Sequence, residues 1–317
     1  MKNCLAAIVL FAVVAVVSAV ETTVMKHVPD SAVVAAQVNV GTLLSNPAVQ
    51  EVLNQPEYAA KRLKYEKKSG VQLADLKTVW FFVDGFGRRV GLFLLKKSAD
   101  LENAFKKAEI PYRKSNVGGQ IVFHVTGKGP GDKSVEIAEL EPGVLASGEK
   151  GSVIRYLRGK RGNANALMDV MKKIPADKPV KVAFINTIKN MDGVVEDPVQ
   201  VCLSFAFAGT AQRDMAFQCR FFCGSNEGAK MFAARLPMYV MMGSALLFSQ
   251  APELGEQIVS CIKNSVDKSV VSVNAVIPEQ TGRQISVYME QNADRFIPRE
   301  KSVRKSGKRR KNSAVSK

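Results

Sequence analysis

The sequence predicts an α+β protein, with antiparallel sheets, helices packed on one face, and an internal duplication of a strand–helix–hairpin–helix unit. Three observations lead there. Short apolar runs rich in β-branched residues alternate with Gly- and Asp-bearing links, the pattern of strands and hairpins. Between them lie stretches that begin at Ser or Asn caps and carry apolar residues at helical spacing. The order then recurs: Val79–Leu95 followed by Ser98–Ala108 parallels Val201–Cys223 followed by Ser225–Leu236. The recurrence is one of pattern and not of identical residues, and such self-similarity marks repeated units.

The elements follow in chain order. Residues 32–40 are a mostly apolar run with small residues, broken only by Gln37 and Asn39, which reads as a buried strand. Asn46 before Pro47 is a helix cap followed by proline at the first helical position, and Gln55-Pro56 restarts that helix toward Gly70. Residues 77–84 and 90–95 flank a Gly-bearing link, a hairpin. Ser98 is expected to cap a helix with Leu101, Ala104, Phe105 and Ala108 on one face. Strands are expected over 120–126, 134–140 and 143–147, then short helices over 151–157 and 163–173. The second half opens with a strand at 180–185 and a hairpin of 199–208 with 215–223. A long helix from Asn226 and a helix over 253–264 follow, and strands at 269–277 and 283–290 close the pattern.

This divides the chain into a leader (1–19), a first α+β unit (20–186), a second (187–298) and a basic tail (299–317). The leader has Lys2, then an apolar run from Leu5 to Val17, then small residues at Ser18 and Ala19. That is the pattern of a cleaved secretory signal, and the run is short for a spanning helix. The expected location is therefore outside the cytoplasm: periplasmic, envelope-associated or extracellular.

Composition narrows the function classes. Apolar residues make up 46% of 317 residues and charged residues 23%, enough core-forming material to exclude disorder of the whole chain. Two His and one Trp weaken the case for His-based catalysis and His metal sites. The net charge is +16, and the nine Lys or Arg against one Glu in residues 299–317 supply half of it. Arg304, Lys305, Lys308, Arg309, Arg310 and Lys311 are the candidate tether to an anionic polymer or membrane surface. No aromatic is interleaved among them, so base stacking on nucleic acid is not indicated.

No catalytic, cofactor or metal motif stands out. Gly127–Ser134 resembles a phosphate loop but Asp132 interrupts it, and Gly85–Gly91 resembles a dinucleotide loop but leads into a strand; both read as turns. His124 reads as a hydrogen-bonded structural residue, and Glu136, Glu139 and Glu141 as solvated carboxylates. After removal of the leader, Cys202, Cys219, Cys223 and Cys261 remain. In an exported chain they fit disulfides, with Cys202–Cys219 and Cys223–Cys261 the favoured pairing and buried free thiols the other reading.

Leu236–Phe248 is the most apolar stretch after the leader. A helix apolar all round is expected to be buried core. Met238, Met241, Met242, Leu246 and Leu247 could otherwise wall an apolar-ligand site or lie against a membrane. The sequence thus points to an exported, non-enzymatic binding or structural protein of the envelope or extracellular space, tethered by its tail. A carrier of an apolar ligand such as lipid, and a hydrolase with an unrecognised site, are the alternatives.

Overall fold

β1 (Ala32–Asn39) lies inside a single antiparallel sheet of twelve strands among the described residues. A computed structural model describes residues 24–69, 71–126, 134–163, 165–186, 199–208 and 213–292. The leader, the tail and the Gly127–Lys133 stretch lie outside them. To one side of β1 stand β2 (Leu76–Asp84), β3 (Arg89–Leu95), β7 (Val144–Glu149), β6 (Val135–Glu141), β5 (Gln120–Val125) and β4 (Tyr112–Val117). To the other stand β8 (Val180–Ile185), β9 (Gln200–Ala208), β10 (Asp214–Phe222), β12 (Val270–Ile277) and β11 (Ile262–Asp267). The mixed class holds, and the expected sheets are one. In each half the chain starts at the centre, steps outward through a hairpin, and returns from the edge. Four strands return in the first half and two in the second.

Helices cover both faces, which corrects the one-face expectation. On the first face, α5 (Ser152–Arg158) and α6 (Asn165–Lys172) pack on Trp80, Phe82, Leu92 and Ala183. On the second face, α1 (Val40–Leu44) and α4 (Leu101–Lys107) bury Val38, Val79, Phe123 and Leu145. α2 (Pro47–Asn54) and α3 (Pro56–Ser69) follow α1 in the chain. Two apolar stripes on one strand explain this. In β2, Trp80 and Phe82 point one way while Val79 and Phe81 point the other, so both faces need a cover.

The second half carries its helices on the second face. α7 (Asn226–Leu247) packs on Phe221, Val271 and Val273, and α8 (Pro252–Ser260) packs on α7. α9 (Glu279–Gln291) lies so close to β10 that a Cβ at Gly282 would stand 2.6 Å from the Met215 methyl. The first face of these strands carries a polar patch, with Gln218 donating to Asn274 on adjacent strands at 3.0 Å. Glu51 on α2 meets Arg213 and Arg283 at 3.0 and 3.2 Å, and both arginines also meet Glu279. This ring of charges joins the helices of the two halves.

Local caps follow the sequence in several places. Asn46 accepts from the Ala48 and Val49 N–H groups, and Ser225 from that of Gly228. Elsewhere the structure differs. Asp100, not Ser98, caps α4. The helix expected over 253–264 stops at Ser260, and residues 262–267 form β11, joined to β12 by a two-residue turn with Lys268 at φ 51°. Residues 283–290 are helical. Ile285, Val287 and Met289 alternate as in a strand, but Thr281, Ile285 and Tyr288 also share a helix face, and that face is the one buried.

Candidate functional site

α7 is the longest helix among the described residues, and its two sides have different fates. Ala229, Phe232, Ala233, Leu236 and Val240 face the sheet. The opposite side is also apolar, and nothing in the described structure covers it. Met238 is 50% exposed, Met241 62%, Met242 56%, Leu246 74% and Leu247 45%. This corrects the buried-core expectation. A sheet can cover only one side of a helix packed against it, so a helix apolar all round keeps a bare stripe unless a second layer arrives. Arg235 is the one charged residue between Met231 and Leu247. An exposed apolar stripe of this length is unusual on a protein surface. Side chains this exposed do not wall an enclosed cavity.

The C-terminal ends of α7 and α9 are tied together. The Tyr288 hydroxyl donates to the Leu247 carbonyl at 2.9 Å, and its ring packs on Phe248 with centroids 5.2 Å apart. The chain therefore leaves the described structure, at residue 292, from beside the most exposed end of the stripe. The candidate tether residues Arg304, Lys305, Lys308, Arg309, Arg310 and Lys311 follow in sequence and lie outside the described residues.

The four cysteines are free thiols, so the expected Cys202–Cys219 and Cys223–Cys261 bridges are absent. The β9–β10 link holds five residues rather than two, so Cys202 stands opposite Arg220 and Cys219 opposite Leu203. Facing residues share a side of the sheet, so Cys202 and Cys219 point to opposite sides. Cys261 follows α8 as its C-cap. Burial pushes the Cys219 thiol up to about 12 and also raises Cys202 and Cys223.

A polar relay on the first face was not legible in the sequence. Ser115 Oγ and His124 Nε2 lie 2.7 Å apart, and His124 Nδ1 lies 3.5 Å from Glu136 Oε1. The register of β4, β5 and β6 makes it: Ser115 pairs with Val122, and His124 with both Arg113 and Glu136. Glu136 is 2% exposed, not a solvated carboxylate. Its other oxygen accepts the Val153 and Ile154 N–H groups at the start of α5, at 3.0 and 3.3 Å. The order hydroxyl, imidazole, carboxylate is that of an activated nucleophile. No group of three or more His, Cys, Asp or Glu able to hold a metal ion occurs among the described residues. Likewise, no helix among the described residues is long and apolar enough to cross a membrane.

The chain matches no protein-family model, no curated protein and no solved structure. Any reading of function therefore stands on the side chains themselves.

Proposed function

We propose that this is an exported, non-enzymatic protein that docks on an anionic lipid surface through the outer side of α7 and its basic C-terminal segment. The observation that carries the reading is the exposed stripe Met238, Met241, Met242, Leu246 and Leu247, with the chain's exit tied beside it by Tyr288. The two signals complement each other. Apolar side chains entering the headgroup boundary contribute roughly 0.8 kcal/mol per buried CH₂ group. Basic residues near an anionic leaflet add about 1 kcal/mol each. Stable peripheral attachment takes two such signals. The leader supports an address outside the cytoplasm, and the exposure of the stripe favours a surface contact over carriage of an apolar ligand. The shared order of the two halves, centre to hairpin to edge and back, supports a duplicated unit.

Vesicle flotation tests the reading. The full chain is expected to float with phosphatidylglycerol-rich vesicles at low salt and to be released by high salt. Met241→Lys with Leu246→Lys, and separately Arg309→Gln with Arg310→Gln and Lys311→Gln, should each weaken binding by about tenfold or more. Unchanged flotation of both variants would overturn it.

The Ser115–His124–Glu136 geometry favours hydrolysis as a second reading. Ser115 Oγ would attack an ester carbonyl carbon while His124 Nε2 takes its proton. The leaving alcohol would carry that proton away, and water would release the acyl group by the same path. Covalent capture of a fluorophosphonate by the native chain, lost in Ser115→Ala, would establish it; no labelling of the native chain would end it.

A further inference from the structure

A second surface feature lies on the sheet face opposite α7. A cleft of about 400 Å³ opens between α5, the β2–β3 turn and the segment before β1. Five basic side chains line it, Arg88, Arg89, Arg155, Arg158 and Lys160, against two acidic ones, Asp30 and Asp84. Both acids are engaged. Asp84 accepts the Phe86 and Arg88 N–H groups and the Arg88 guanidinium Nε at 2.5 Å. Asp30 accepts the Asn163 N–H at 2.8 Å. Arg89, Arg155, Arg158 and Lys160 make no ion pair with a carboxylate among the described residues.

The placement of these cations has local causes. Arg155 and Arg158 sit three apart on α5 and so share a side of it. Arg155 folds back over Gly151, where an added Cβ would lie 3.1 Å from its Nη1, and Gly151 itself has φ 81°. Glycine there serves both the backbone and the guanidinium above it. Arg88 and Arg89 come from the other wall, held by the Asp84 turn. The floor is apolar: Phe82, Val90 and Tyr156, all buried. Like charges gathered over a low-dielectric floor repel one another unless an anion joins them. Forked guanidinium donors from two walls match the oxygens of a phosphate.

We infer that this cleft binds a phosphate ester or diphosphate carried on a small organic body, the phosphate held by Arg89, Arg155 and Arg158 and the body lying against Tyr156 and Phe82. The site is independent of membrane docking. Because it faces away from α7, it remains open when α7 is covered.

Calorimetric titration of the full chain with inorganic pyrophosphate, without vesicles, tests the inference. Saturable one-to-one binding is expected, weakened by about tenfold or more in Arg89→Ala with Arg155→Ala and Arg158→Ala. The single exposed change Arg158→Glu should weaken it in the same direction and guards against misfolding of the triple variant. The tail variant Arg309→Gln, Arg310→Gln, Lys311→Gln should bind pyrophosphate as the native chain does. No saturable binding, or binding lost in the tail variant and kept in the cleft variants, would overturn the inference. Phosphatidic acid vesicles separate the sources. In a chain carrying Met241→Lys, Leu246→Lys and the tail changes, which remove docking through α7 and the tail, phosphatidic acid vesicles that compete with pyrophosphate for the cleft identify a headgroup, and vesicles that do not compete identify a soluble ligand.

Discussion

Cys202 stands directly across the β9–β10 ladder from Arg220, one step out of line with Cys219. That single step keeps the two thiols on opposite sides of the sheet. Alkylation of the denatured chain should therefore add one group at each of Cys202, Cys219, Cys223 and Cys261, and prior reduction should leave that mass unchanged. Burial raises the pKa values of Cys202, Cys219 and Cys223 and leaves them little thiolate near neutral pH, so their modification by a disulfide reagent should be slow until denaturant is added. Rapid reaction of the native chain would show that these thiols are open to solvent.

Stability should fall in steps as pH falls. Burial holds the His27 imidazole below its ordinary range, against the opposing pull of its hydrogen bond and charge attraction to Glu141; Lys26 and Arg161 lower it further. The unfolded chain then takes up a proton before the folded one, so stability is full above the ordinary histidine pKa and declines as pH falls through it. Glu141 lies below its ordinary range, chiefly through Lys26 against the opposing effect of burial, and through His27. Its contribution is present above the ordinary glutamate pKa and is lost as pH falls toward the folded value. His27→Asn should flatten the upper step and, by removing one of Glu141's partners, shrink the lower one in thermal melts across pH; an unchanged upper step would remove His27 as its cause.

Gln37 is fully buried between Trp80 and Lys181 on neighbouring strands, and neither atom of its amide has a hydrogen-bond partner among the described residues. Desolvating such a group costs about 1–3 kcal/mol. Gln37→Met keeps the length of the side chain and removes the cost, so it should raise the melting temperature by roughly 2–4 °C. A lower melting temperature would mean that the amide is satisfied after all.

Glu136→Ala should destabilise by about 2–4 kcal/mol, because it strips the acceptor from two N–H groups at the start of α5 and removes the carboxylate facing His124. Glu136→Gln keeps one acceptor oxygen and should cost about half as much. Equal losses in denaturant melts would assign the effect to the carboxylate's charge and not to its hydrogen bonds.

These residues also show what the sequence could and could not reveal. Local signals sufficed where a cap or a hairpin is set by neighbours in the chain, as at Asn46, Ser225 and the β2–β3 turn. They failed where two periods fit the same residues, as in α9, because burial of Tyr288 against Phe248 decides the matter and is not local. The relay of Ser115, His124 and Glu136 depends on register among three strands, and the cleft depends on α5 packing beside the β2–β3 turn. Neither leaves a contiguous motif. The apolar run of α7 was legible as apolar; its exposure was not, since that depends on how many layers cover it.

Among the described residues the sheet of twelve strands ends in two rims, β4 and β11, whose outer backbone groups no described strand pairs. Arg113 and Lys114 stand on one rim and Lys263 on the other, all exposed. Charged side chains on both rims, Arg113 with Lys114 (itself paired with Glu102) on β4 and Lys263 with Asp267 on β11, must lose water before another strand can dock, which acts against edge-to-edge pairing.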